Sequence, residues 1–100
     1  MKTVEDYRKY KLKVKRITNK QRLHTLPNYE LRGRTGISGA YHLDHIYSIS
    51  QGFINNIPEH VIGDIKNLRF IPWENNISKS GKLTNESWDM FVYFIEEEMI

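Results

Sequence analysis

The middle of the chain constrains its fold most. Residues 40–49 read as β-like, with Tyr41, Leu43, Ile46 and Ile49 apolar and a turn expected at Gln51-Gly52. Residues 67–73, Asn-Leu-Arg-Phe-Ile-Pro-Trp, read as a second strand, with Pro72 tolerated near its end. Glu74 to Ser80 suits the first turns of a helix. Between the strands a short helix is expected over 58–64, with Pro58 at its first position, where a missing N–H costs nothing. From 40 to 80 the chain therefore runs strand, long loop, strand, helix. A hairpin of this kind brings its two ends together and lays the helix across them.

The flanks read as helices. Thr3-Val4-Glu5-Asp6 has the form of a capping box, with acids in the first turn and lysines later, in agreement with the helix dipole. Tyr7, Tyr10, Val14 and Ile17 then recur at helical spacing. A rival pattern alternates Tyr10, Leu12 and Val14 with lysines, as a strand would; the cap and the charge placement favour the helix. Residues 18–40 hold Gly33, Gly36 and Gly39 and read as a helical turn around 20–25, then an irregular basic loop anchored by Leu23, Leu26 and Leu31. At the other end Thr84 is a candidate N-cap. Trp88, Phe91, Val92, Ile95 and Met99 make one apolar face behind it, widened by Phe94, giving an amphipathic helix over 84–99. Trp73, Trp88, Phe91 and Phe94 are candidate core residues. The reading is one α+β domain over 1–100: a basic segment at 1–34, a strand–strand–helix core at 40–80 and a C-terminal helix at 84–99.

With no cysteine in the 100 residues, disulfides and thiolate zinc sites are excluded. The charged stretch 1–10 has no apolar run behind it and nothing approaches the length of a membrane span, so a soluble, cytoplasmic protein is expected. Net charge is only +3, but residues 1–34 carry eleven Lys/Arg against three acids, a local +8. Residues 35–82 balance, and 83–100 are purely acidic at −5. A basic first third is an electrostatic footprint for a polyanion. A solvated lysine face on an amphipathic element would have the same composition.

The chemistry-bearing residues fall in the same middle region. Tyr41-His42-Leu43-Asp44-His45-Ile46 sets a carboxylate beside an imidazole; Asn67 and Asn75-Asn76-Ile77-Ser78-Lys79 follow. Asp44 supplies the kind of oxygen that a hard cation such as Mg²⁺ prefers, and Asn76 adds a carbonyl oxygen without further negative charge. His45, with an ordinary pKa of about 6.5, suits a general base near neutrality. Neighbours on a strand point to opposite sides, so Asp44 and His45 are expected to contact different groups. Each residue also has a plainer use: Asp44 capping a turn, His45 as a satisfied imidazole, Asn75 or Asn76 capping a helix. Spacing alone does not choose between Asn75 and Asn76.

Asp44-His45-Ile46, Asn67 and Asn76-x-x-Lys79, in that order around a glycine turn, resemble the HNH endonucleases of the ββα-metal (His-Me finger) fold, over roughly residues 30–82. Small phage-borne and homing-type enzymes are the nearest parallels. The resemblance implies a ββα-metal core without the structural zinc that many relatives hold on paired Cys-x-x-Cys motifs. It implies Asp44 and Asn76 as metal ligands, His45 as the base that activates water, and Asn67 as the asparagine that holds the loop carrying His45. One divalent cation, Mg²⁺ with Mn²⁺ as substitute, would serve DNA hydrolysis. His42 and Lys79 are further candidates at the site, Lys79 near phosphate. Arg32 and Arg34 flank Gly33 and are candidates for gripping the DNA backbone, as against a solvated loop. His24 and His60 read as surface residues. The implied protein is a metal-dependent nuclease that nicks or cuts DNA, alone or within a larger phage or mobile-element complex. A silent basic DNA-binding module on the same fold is the alternative, and an RNA-directed nuclease a third reading.

Overall fold

The computed structural model of the chain describes residues 2–79, and within these the architecture is α+β, a two-stranded antiparallel sheet with helices packed around it. Helix α1 (Val4–Asn19) begins at the expected capping box. Thr3 Oγ1 accepts from the Asp6 amide at 3.1 Å, and Asp6 Oδ2 accepts from the Thr3 amide at 3.0 Å. Its inner face is Tyr7, Tyr10, Val14 and Ile17, extended by the buried Thr18. The alternating strand pattern fails where it would place Leu12 inside, since Leu12 is 54% exposed.

Strand β1 (Tyr41–His45) pairs with β2 (Leu68–Pro72), setting Asp44 opposite Arg69 and His45 opposite Leu68. Both are shorter than their β-like runs. β1 stops at His45 because the next residues bond to Asn67, and Ser48 then caps a helix: Ile46 N donates to the Asn67 carbonyl at 2.8 Å. At β2 the entry residue Asn67 closes a 3₁₀ turn (Ile65–Asn67), while Trp73 already opens a helix. Pro72 costs little because every strand of a two-stranded sheet is an edge.

The segment between the strands departs from expectation at Gln51-Gly52, which is not a turn but the interior of helix α2 (Ile49–Ile54). Ser48 is its N-cap, its Oγ accepting from the Gln51 amide at 3.2 Å. The chain turns instead at Asn55-Asn56, where Asn56 takes a left-handed conformation, φ 57°. Gly52 is needed for closeness rather than for a turn. A Cβ there would lie 2.6 Å from the Tyr10 hydroxyl and 2.8 Å from Ile62, so α1 and the next helix could not approach α2. Helix α3 (Glu59–Ile62) follows, with Pro58 as its N-cap rather than its first residue, a one-residue shift within the usual spread of helix ends.

Between α1 and β1 the helical turn occupies Leu23–Thr25, and a second 3₁₀ turn, Tyr29–Leu31, is entered through a left-handed Asn28 (φ 68°). Leu23 and Leu26 are half-buried there, whereas Leu31 is exposed. Helix α4 (Trp73–Lys79) leaves β2 directly. The expected C-terminal helix at 84–99, with Trp88, Phe91 and Phe94, lies outside the described residues.

The main buried cluster joins Val14 of α1, Tyr47, Ile57, and Val61 and Ile62 of α3, with Tyr10 and Ile49 against it. Trp73, expected in the core, sits outside this cluster. It is half-buried and donates Nε1–H to the Ile37 carbonyl at 3.0 Å, fixing the 33–40 loop to the start of α4.

Tyr10 ties α1 to the segment after α2. Its ring packs against Phe53 with centroids 5.5 Å apart, and its hydroxyl donates to the Ile57 carbonyl at 2.8 Å. Burial, helped by the negative Glu59, pushes the phenol above its ordinary value near 10. A proton held more tightly in the folded than in the unfolded state stabilises fully below the unfolded pKa and is lost as pH rises past it. The parent protein is therefore expected to lose more stability than Tyr10→Phe on going from about pH 9 to about pH 11.5, a window that brackets free tyrosine. Urea midpoints at both pH values check this. Equal losses in the two proteins would refute it.

Candidate functional site

An open cavity of about 460 Å³ gathers residues from four elements. β1 contributes Leu43, Asp44 and His45; the start of α2 contributes Ile49 and Ser50 beside Ser48; α1 contributes Tyr7 and Lys11; α4 contributes Asn76 and Ile77. Asp44, His45 and Asn76, separated by up to 32 positions in sequence, thus line one hollow. The convergence follows from the topology. The antiparallel pair returns the chain to β1, and α4 starts without a linker, so its second turn lies over β1.

Asp44 is buried, 5% exposed, and is held by its cross-strand partner: Arg69 Nε donates to Asp44 Oδ2 at 3.0 Å. A buried carboxylate is costly without a countercharge, and the register Asp44↔Arg69 supplies one. His45 reaches the other way. Its Nε2 lies 3.0 Å from Thr18 Oγ1 on α1, so strand alternation separates the two side chains' partners as their adjacency implies.

Asn76 Nδ2 lies 3.3 Å from His42 Nδ1, and His42 Nε2 lies 3.3 Å from Thr35 Oγ1. His42 therefore bridges the 33–40 loop and α4 and is not among the residues lining the Asp44 cavity. With its amide nitrogen turned to His42, Asn76 presents its carbonyl oxygen away from that contact.

Asn67 is fully buried at 0% exposure and lies beneath the site rather than in it. Its Oδ1 accepts from the Tyr47 amide at 2.7 Å; its Nδ2 donates to the carbonyls of Tyr47 (3.1 Å) and Ile62 (2.8 Å). Together with Ile46 N on its own carbonyl, one asparagine clamps both residues that follow His45. The buried polar or charged side chains among the described residues are Thr18, Asp44 and Asn67, and all three touch β1 or the two residues after it. Burying polar groups costs stability. Their concentration here marks where the fold spends it.

The donor set can be tested against a metal. Among the described residues no group of three or more His, Cys, Asp or Glu assembles, so a site built wholly from such ligands is absent there. A hard, hydrated cation asks for less: one or two carboxylates, neutral oxygens and several waters. Asp44, with the Asn76 carbonyl and an open hollow of this size, fits that demand. A carboxylate has about four lone-pair positions, so an Arg69 bond at Oδ2 leaves capacity for a cation at the same group.

The basic candidates divide. Arg32 stacks its guanidinium 3.8 Å over the Tyr29 ring and donates Nη1–H to the Tyr29 carbonyl at 2.9 Å. It lines a different cavity, of about 470 Å³, beside Tyr41 and Phe70. Arg34 is exposed on the loop and lines neither cavity. Lys79 ends α4, and its side chain lies outside the described residues. His24 and His60 are exposed, as expected.

Sequence reasoning missed Lys11, Tyr7, Thr18, Ser48 and Ser50. The first three had a legible signal. Tyr7, Lys11, Val14 and Thr18 recur at steps of four, three and four, so Lys11 and Thr18 share the apolar stripe's own face. Lys11 itself is exposed, and that register sets it on the side of α1 that borders the cavity.

Comparison of the chain with protein-family models, with curated proteins and with solved structures finds no match. Among the described residues no helix is long and apolar enough to cross a membrane.

Proposed function

We propose that this chain is a metal-dependent endonuclease of the HNH type, built on a ββα-metal core of β1, β2 and α4, which hydrolyses DNA phosphodiester bonds. The observation that supports it best is the shared cavity of Asp44, His45 and Asn76, with Asn67 clamping the two residues after the histidine. The hydrophobic core does not require an acid, an imidazole and a carboxamide from two elements at one hollow.

In this reading Asp44 and Asn76 hold one divalent cation, Mg²⁺ or Mn²⁺. When bound, such an ion neutralises charge on the scissile phosphate and on the departing oxygen. His45 takes a proton from the attacking water. The new P–O bond forms as the bond to the 3′ oxygen breaks, and a proton from solvent completes the 3′ hydroxyl. Arg69 holds Asp44 in place from the opposite strand. Lys11, at the cavity, meets phosphate, and the exposed Lys9, Lys13, Lys15, Arg16 and Lys20 of α1 and its end give a grip that is independent of sequence.

The test is plasmid nicking with Mg²⁺ and with EDTA, in parallel with an RNA substrate. Metal-dependent nicked or linear DNA is the expected product, abolished by EDTA. Binding is expected to fall steeply with salt, because each neutralised phosphate releases counterions. DNA binding with no metal-dependent product across single- and double-stranded substrates would leave a silent binding module instead.

A further inference from the structure

Thr18 is an unusual residue to find at 2% exposure on the inner face of a helix, and two hydrogen bonds converge on its one hydroxyl. Oγ1 lies 2.9 Å from the Val14 carbonyl, one helical turn back, and 3.0 Å from His45 Nε2. A hydroxyl has one proton to give and two lone pairs. A carbonyl oxygen cannot donate, so the bond to Val14 uses that proton. Oγ1 must then accept from the imidazole, which places the ring hydrogen on Nε2. From this we infer that Thr18 is a positioning residue: it fixes His45 as the Nε2–H tautomer and leaves Nδ1 as the nitrogen with the lone pair.

The consequence for the site is specific. The opposite tautomer, with Thr18 donating to Nε2, carries its hydrogen on Nδ1, and a ring of that kind has no lone pair left to accept a proton from water. The Nε2–H···Oγ1 bond also persists whether the ring is neutral or protonated, so the orientation of His45 does not change during turnover. Helix α1 thereby joins the site through a half-buried contact, in addition to Lys11 and Tyr7 at the cavity wall. The role in catalysis rests on the nuclease reading above; the tautomer does not.

Two measurements separate these. First, ¹⁵N-resolved NMR of the parent protein at a pH where His45 is neutral is expected to show Nε2 in the protonated, pyrrole-like range and Nδ1 in the pyridine-like range. The reverse assignment overturns the proposal. Second, Thr18→Val keeps the shape and removes the oxygen, while Thr18→Ser keeps the oxygen. Thr18→Val is expected to lower kcat by about tenfold to a hundredfold, the usual effect of removing a partner that orients a reacting imidazole, with KM little changed. Thr18→Ser is expected to stay within about threefold of the parent, well below that range. Parental turnover in Thr18→Val, with an unchanged His45 tautomer, overturns the positioning role. A parent that cuts nothing would remove the nuclease reading and this role with it, and the spectrum would still decide the tautomer.

Discussion

His45→Ala is expected to lower metal-dependent DNA cleavage by about a hundredfold to ten-thousandfold, the range that a positioned general base contributes. Metal and DNA binding should change little. The expectation rests on division of labour at the cavity. Asp44 is held by Arg69 across the sheet, and Asn76 by its contact with His42, so neither depends on the imidazole for its position. Removing the ring leaves the backbone pairing His45↔Leu68 intact, since the ladder uses main-chain groups. The exposed lysines of α1 that would meet the DNA backbone are likewise untouched. Initial nicking rates, Mn²⁺ titration and DNA binding at fixed salt, with circular dichroism to confirm folding, measure each part separately. Cleavage at the parental rate would remove His45 from the reaction. Loss of binding together with cleavage would instead make it a structural residue.

The difference between what was legible in the sequence and what was not has a physical pattern. Local signals held. The Thr3–Asp6 box needs only four residues, and it correctly started α1. Both strands were found because Tyr41, Leu43, Leu68 and Phe70 carry the β pattern themselves. The turn at Gln51-Gly52 failed because glycine was read as a bend, when its missing Cβ is used to admit Tyr10 and Ile62. Such a demand comes from residues 42 and 10 positions away and is invisible in a local window. The placing of Asp44, His45 and Asn76 at one cavity followed from order and topology. The contacts of Arg69 with Asp44 and of Thr18 with His45 did not, because they depend on strand register and on how α1 packs. Arg32 and Arg34 lie close to Asp44 in sequence, but the Asp44 cavity is lined by Lys11, which a helix brings there from 33 positions before Asp44.

The largest effect on stability is expected at Asn67, and Asn67→Ala should cost about 3–5 kcal/mol, the range for losing a buried hydrogen-bonded group together with its packing. The side chain is fully sealed from solvent and makes three hydrogen bonds, to Tyr47 N, Tyr47 O and Ile62 O. Alanine withdraws all three at once from a place that water does not reach, and it leaves a void beside Ile62, itself a core residue. Against the ~5–15 kcal/mol that holds a typical domain together, a change of this size leaves a marginal protein. Asn67→Asp is a sharper probe, because the shape stays and one oxygen still accepts from Tyr47 N. The other oxygen then faces two carbonyls with one proton to give when protonated and none when ionised, so this variant should also be destabilised, and more so when the carboxylate is ionised. Urea midpoints with an unchanged slope would measure both. The two residues that Asn67 holds directly follow His45, so any residual folded Asn67→Ala protein should also cut more slowly than its folded fraction accounts for. A loss of stability below about 1 kcal/mol, the worth of a single ordinary hydrogen bond, would mean that the clamp is not what holds this segment to β2.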